Sequence, residues 1–228
     1  NNNARIRAGT FQLLVDCGIT APRALHELSL DVADFDAILI THIHGDHVGG
    51  LEELAFRMRY IHRRKPVLYV PETIADDLWF CTLRGPMENK EEGCTSLSDY
   101  FDVRLMKENV PIVLAEGLTI EPIRTKHVPG KPSYSLLINE TVFYSSDMTF
   151  NPELLIGLTK QGRCKTIFHE CQLSGEGFVH TTLEELLGLP QEIQERIYLM
   201  HYGDEMEHYL GRTGPMQFAE QHRIYTFS

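Results

Sequence analysis

The sequence predicts a mixed α/β fold, a sandwich with sheets inside and helices outside. Three observations predict it. Short apolar runs with strand character recur along the whole chain, and segments of helical spacing separate most of them. Turn residues mark the joins, so strands and helices interleave with hairpins instead of forming separate blocks. The chain has 228 residues, 43% of them hydrophobic. That is enough for one large domain with a substantial core, and no repeat, low-complexity tract or linker divides it.

Each element follows from its residues. "NNNARIRAGT" (1–10) reads as the tail of one strand entering "FQLLVDCG" (11–18), a buried strand that ends in a turn. "APRALHELSL" (21–30) is a short helix. "DAILITH" (36–42) is an apolar run with strand character, and its end delivers His42. "GGLEELAFRMRYIHRRK" (49–65) has helical spacing at Leu51, Leu54, Ala55, Met58 and Ile61. "PVLYV" (66–70) is a strand. "PETIADDLWFCTLR" (71–84) opens on Pro and acidic residues, as helix N-termini do. Residues 85–100 are polar and irregular, and a lid or insertion is expected within about 71–105. "GLTIEPIRTKHV" (117–128) and "SYSLLINETVFYSSD" (133–147) read as strands, the second a hairpin turning at Asn139-Glu140. A helix over 151–162, a strand over 166–172, a helix over 181–197 and a strand over 198–201 complete the order.

Bulk properties narrow the function. The formal charge is −11, whereas proteins that hold long nucleic acid present a basic surface. No apolar run approaches the ~20 residues that span a bilayer, and the first ten residues have no leader character. Five cysteines, an odd number without a CxxC pair, argue against a disulfide framework and for a reducing, cytoplasmic setting.

The chemistry concentrates in "THIHGDHVGG" (41–50). In an extended segment residues i and i+2 point to one side, so His42 and His44 converge. Asp46 and His47 open the next turn and aim at a neighbouring position. Two metal ions roughly 3.5–4 Å apart fit that spread. Imidazole with carboxylate suits zinc, with manganese or iron as alternatives. Gly45, Gly49 and Gly50 fit a loop whose backbone turns sharply. Such a site needs further ligands at later strand ends, and His127, Asp147 and His201 each end an apolar or β-branched run.

This set resembles the metallo-β-lactamase superfamily, whose HxHxDH motif is followed by a His, a bridging Asp and a final His. The resemblance covers nearly the whole chain. It implies an αββα sandwich with further N-terminal strands ahead of "DCG". It also implies that His42, His44 and His127 hold one metal, that Asp46, His47 and His201 hold the other, and that Asp147 bridges them. "FHECQ" (168–172) followed by "VHTT" (179–182) is similar to the ribonuclease Z branch, where a Glu supports a downstream His. That pairing has a physical rationale, because a departing alkoxide needs a proton. His180, kept basic by Glu170, would supply it. Catalysis then rests on Asp46 through its metal, and on Glu170 and His180. His169 reads as a core or supporting residue.

The chain departs from ribonuclease Z in two respects. Its last ligand sits in "HYGDE", and it has no glycine- and proline-rich arm, only the acidic "GPMENKEEGCTSLSDYFD". The overall pattern, from "LLVDCG" through "VHTTLEELLGLP" to "LMHYGDE", most resembles the anti-Pycsar phosphodiesterases of phages and bacteria, which destroy cyclic nucleotide messengers. The resemblance implies a small phosphodiester substrate, a cyclic nucleotide. It also implies a nucleophilic hydroxide bridging two zinc or manganese ions, and a homodimer. The alternatives are a tRNA 3′-processing endonuclease acting on RNA and, from another class, a non-catalytic metal-stabilised binding protein.

Other features have two readings each. "RMRYIHRRK" (57–65) is a phosphate patch or a solvated helix end. Tyr134, Phe178 and Tyr202 are nucleobase platforms or core residues. Ser145 and Ser146 are phosphate ligands or plain strand residues, and Trp79 is a helix anchor or part of a base pocket.

Overall fold

In the computed structural model, which describes residues 2–227, β1 (Ala4–Ala8) and β2 (Phe11–Val15) form an antiparallel hairpin in the register Ala8↔Phe11. Gly9 turns it at φ +58, a conformation open to glycine at no steric cost. The chain leaves β2 at Asp16, enters α1 (Ala21–Glu27) with Pro22 in its first turn, and reaches β3 (Ala37–Leu39). β3 lies parallel to β2, with Leu14 opposite Ile38, and all three of its residues are buried. A strand covered on both faces needs no polar alternation, hence the unbroken apolar run. α2 (Gly45–Val48) and α3 (Leu51–Phe56) follow, and α3 continues into a π-helical turn over Arg57–Ile61.

β4 (Val67–Pro71) is parallel to β3. Next come α4 (Ala75–Asp77), a second π-helical turn over Leu78–Leu83, α5 (Arg84–Met87) and α6 (Leu97–Tyr100). β5 (Asp102–Met106) then adds parallel to β4, giving the sheet order β1-β2-β3-β4-β5. β6 (Ile112–Ala115) and β7 (Leu118–Thr125) pair antiparallel across Gly117 at φ +75. By contact the chain forms two units, the first ending at Arg124 and the second beginning at Thr125.

In the second unit β8 (Ser133–Ile138) and β9 (Val142–Tyr144) are antiparallel. Asn139 and Glu140, both at positive φ (51 and 49), make the turn with the handedness that matches strand twist. α7 (Pro152–Lys160) starts at Asn151, whose side chain accepts the Leu154 amide. β10 (Thr166–Glu170) lies parallel to β9 and to β11 (Ile197–Met200). Between β10 and β11 come α8 (Leu183–Leu187), opened by a Thr182/Glu185 capping box, and α9 (Gln191–Gln194). β12 (Gln217–Phe218) adds parallel to β11, so the order here is β12-β11-β10-β9-β8.

Three expected helices differ most in extent. The one expected over 181–197 is two pieces, because Pro190 follows Gly188 and cannot continue α8. The one expected over 71–84 begins at Ala75, since β4 runs on to Pro71. The one expected over 49–65 changes from α to π after Phe56. β5 and β6 were not anticipated. Asp102 and Arg104 interrupt the apolar residues of β5, and β6 is a run of only four apolar residues, too short for periodicity to declare a strand. Among the described residues no helix is long and apolar enough to cross a membrane. All five cysteines are thiols.

Candidate metal centre

In the first unit the chain runs out of β3 as an extended segment, and its hydrogen bonds are met from outside. The Ile40 amide donates to the Tyr69 carbonyl at 3.0 Å, and the Thr41 amide to Asp16 Oδ1 at 2.8 Å. His44 is still extended (φ −72, ψ 151) and serves as N-cap of α2, its carbonyl accepting the His47 and Val48 amides. His42 and His44 therefore share a side while Asp46 and His47 rise from the first helical turn, as the i, i+2 spacing predicts. The imidazoles of His42 and His44 stand edge to face at 4.8 Å, and those of His42 and His47 lie 4.0 Å apart. His47 Nε2 is 3.5 Å from Asp46 Oδ2.

Asp16 was not singled out in the sequence, yet it orders this loop. Its Oδ2 accepts the Thr41 hydroxyl at 2.7 Å and lies 2.7 Å from His47 Nδ1. With that proton at Nδ1, the His47 lone pair is on Nε2, the atom facing Asp46. Burial pushes the Asp16 carboxyl up, while His47 and the two Thr41 donors pull it down. The only signal in the sequence is a carboxylate directly after a buried strand in "LLVDCG". Gly49 and Gly50 are required for a different reason than expected, since neither has positive φ (−65 and −92). A Cβ on Gly49 would meet the Gly45 carbonyl oxygen at 2.5 Å, and one on Gly50 the Gly18 carbonyl oxygen at 2.6 Å. Gly45 has open space around it.

In the second unit His127, Asp147 and His201 come together. His127 donates from Nδ1 to the Val179 carbonyl at 2.6 Å, which leaves its lone pair at Nε2. That atom is 3.9 Å from Asp147 Oδ2, and His201 Nδ1 is 3.5 Å from Asp147 Oδ1. His201 sits at φ +55 just past β11. Glu170 is fully buried. Its Oε1 accepts the Met148 and Thr181 amides at 3.0 and 3.1 Å, and its Oε2 is 3.1 Å from His180 Nδ1. Burial pushes the Glu170 carboxyl up, His180 pulls it down, and Asp147 pushes it up again. The His180 ring lies 4.9 Å from His127 and 5.4 Å from His201, and ligand atoms of Glu170, His180 and His201 fall within 4.8 Å of one another. The N-cap of α8 is Thr182.

The donor chemistry fits hard-to-borderline divalent ions. Each unit gathers imidazoles with a carboxylate, largely shielded from solvent, and outer partners fix the tautomers of His47 and His127. Residues with two readings also resolve. Ser145 is fully buried, donating to the Ser146 carbonyl at 2.6 Å and accepting the Glu170 amide at 2.8 Å. Tyr134 is buried, and the Tyr202 hydroxyl donates to the Ala219 carbonyl. Trp79 packs beside Tyr100 as an anchor. Four of the five cations in the basic run make structural contacts: Arg57 pairs with Asp31 at 2.7 Å, Arg59 covers the Tyr60 and Tyr100 rings, and Arg64 and Lys65 donate to backbone carbonyls. His169 is fully buried, its Nδ1 against the Glu170 carbonyl at 2.7 Å.

Comparison with known proteins agrees with this geometry. The family model described as anti-Pycsar protein Apyc1 matches residues 1–225. An anti-Pycsar protein Apyc1 of Paenibacillus sp. (strain J14) is 58% identical over 226 residues, covering 99% of this chain and 92% of that protein. Among solved structures, the metallo-β-lactamase fold protein YhfI from Bacillus subtilis superposes with a TM-score of 0.71 at 18% identity, covering 96% of this chain and 88% of that one. The short form of human tRNase Z gives 0.67 at 16% identity, covering 98% and 91%. At these identities the structural likeness establishes the fold, which is the metallo-β-lactamase fold expected from the sequence.

Proposed function

The chain belongs to the anti-Pycsar protein Apyc1 family, and on that premise we propose that it is a dinuclear metal-dependent phosphodiesterase that hydrolyses cyclic nucleotides. In this reading His42, His44 and His127 hold one ion, Asp46, His47 and His201 hold the other, and Asp147 serves both. Zinc suits the donors and manganese is the alternative. When bound, two such ions supply Lewis acidity toward the phosphoryl oxygens and a water acidic enough to attack near neutral pH.

The observation that carries the reading is the Glu170–His180 pair beside His127 and His201. Hydrolysis of a phosphodiester expels a ribose alkoxide, which needs a proton as the P–O bond breaks. Nδ1 of His180 faces Glu170, so Nε2 is the atom that delivers the proton. The carboxylate orients the ring and stabilises its protonated form. Asp46 acts through the metal it holds. A tRNA-cleaving role shares the fold and this acid, but the −11 charge and the acidic residues of 85–102 disfavour a long polyanion. A cyclic nucleotide carries a single phosphate and escapes that penalty.

The test is a hydrolysis panel with zinc or manganese: 3′,5′-cyclic mononucleotides of four bases, cyclic dinucleotides and a pre-tRNA. Asp46→Ala/His47→Ala is the inactive control. The expected result is metal-dependent loss of the cyclic nucleotides with intact pre-tRNA, and a His180→Ala protein slower by about 10²–10⁴-fold that keeps its metal. Cleavage of the pre-tRNA alone would replace the substrate. No hydrolysis of any phosphodiester by the metal-loaded protein would leave the binding-protein alternative.

A further inference from the structure

We propose that the phenyl ring of Phe178 is the platform on which the nucleobase of the substrate stacks, an inference that rests on the cyclic-nucleotide reading above. The ring is 80% exposed, an unusual state for a phenylalanine two residues from the acid His180. Of the three aromatic residues near the second-unit ligands in sequence, it alone is available. Tyr134 is buried, and the Tyr202 ring stands edge-on to Phe218 with its hydroxyl bound to the Ala219 carbonyl.

The loop that presents the ring is firmly built. Its ends are joined by the Gln172↔Thr182 bridge, with the Gln172 amide on the Thr181 carbonyl at 2.7 Å and the Leu183 amide on the Gln172 carbonyl at 3.0 Å. Gln172 Nε2 pins the loop from within, donating to the Ser174 and Glu176 carbonyls at 2.8 and 3.1 Å. Ser174 donates to Glu205 at 2.9 Å, and the Phe178 amide donates to the Glu176 carbonyl at 3.0 Å. Gly177 lies so close to Thr182 and the His180 carbonyl that a Cβ there would meet them at 2.5 and 2.6 Å. Two residues on, the Val179 carbonyl holds the ligand His127 at 2.6 Å.

The three consecutive residues thus divide the work. Val179 orients a metal ligand, His180 delivers the proton, and Phe178 offers an apolar face on the same fixed stretch of backbone. A cyclic mononucleotide has a phosphodiester ring with a flat, weakly solvated base attached, so its two halves match that division. Stacking is tolerant of base identity because every base has a π-face, and a platform held in place before binding loses little entropy on binding.

The test uses the metal-loaded full chain. Phe178→Ala should raise KM for 3′,5′-cyclic mononucleotides about tenfold with kcat within about threefold, as expected for one base stacked on one ring. Phe178→Trp should restore KM, and its added indole emission should be quenched by nucleoside monophosphate but not by ribose 5-phosphate. An unchanged KM in Phe178→Ala overturns the inference. An equal KM rise on a phosphodiester lacking a base also overturns it, as does conversion of a dimer to a monomer in light scattering, which would assign the ring to a second copy. If the unaltered protein cleaves no cyclic nucleotide, the phosphodiesterase reading fails separately. The fluorescence experiment then still decides whether the ring takes a base.

Discussion

Oδ2 of Asp16 lies 2.7 Å from Nδ1 of His47, with both side chains fully buried. The contact holds the imidazole ring so that Nε2 points to the position Asp46 also faces. Asp16→Ala should weaken metal retention by about 10–100-fold, the usual effect of losing an outer partner of a ligand. Competition against a graded series of chelators measures it. Unchanged affinity would mean that the surrounding packing alone positions His47.

Glu170 has both a structural and a chemical claim on its carboxylate. Oε1 satisfies the Met148 and Thr181 amides, and Oε2 faces His180. Glu170→Gln keeps an acceptor for the amides and removes the charge that stabilises a protonated His180. Turnover should fall by about a hundredfold or more with thermal stability and metal content close to those of the unaltered protein. Lost stability with preserved turnover would reduce Glu170 to a framework residue.

His169 makes stability depend on pH. Burial holds its imidazole down to about 4, against an ordinary value of 6.5, and the Glu170 carbonyl and Glu185 only partly oppose this. Below 6.5 the unfolded chain takes up a proton that the folded chain refuses, so stability rises with pH across that range. The contribution is complete above about 6.5 and is lost progressively as pH falls to about 4, a change of roughly 3 kcal/mol. His169→Asn keeps a donor for the Glu170 carbonyl and has no such titration. Urea unfolding at pH 7.5 and 4.5, with chelator present, should show a smaller drop for the variant.

Gly177 and Gly157 should respond oppositely to alanine. At Gly177 the new methyl would lie 2.5 Å from Thr182 Cγ2 and 2.6 Å from the His180 carbonyl, so the loop must shift. Destabilisation of about 1–3 kcal/mol is expected, with loss of turnover as His180 moves. At Gly157, inside α7 with nothing within 4 Å of its Cβ position, alanine should stabilise by about 0.5–1 kcal/mol. Denaturant midpoints for the two variants decide the signs.

The sequence made legible whatever depends on local spacing. His42 and His44 announce themselves because i, i+2 in an extended segment is a local rule, and the Asn139-Glu140 turn is readable from its two residues. His127, Asp147 and His201 follow from the ends of apolar runs. Asp16 was hidden because its partner is 31 residues away and only tertiary packing joins them. The close approach that demands Gly50 depends on Gly18 and Pro22, and no periodicity shows that. β5 escaped notice because Asp102 and Arg104 break up its apolar residues, which blurs the apolar signal of a strand.

The π turn after α3 has a bearing on chain length. Leu51, Leu54, Ala55 and Met58 are buried while Ile61, next on the helical stripe, is 67% exposed, because Arg57–Ile61 winds with i→i+5 bonds. Such a turn accommodates one surplus residue inside a helix instead of at its end. Deleting one residue from 57–61 would leave the flanking side chains on their present faces. The same deletion in the middle of α7 would rotate every later side chain of that helix by about 100°. Comparing the two shortened chains by expression and melting would show where this fold can lose a residue, with length and not side-chain chemistry as the variable.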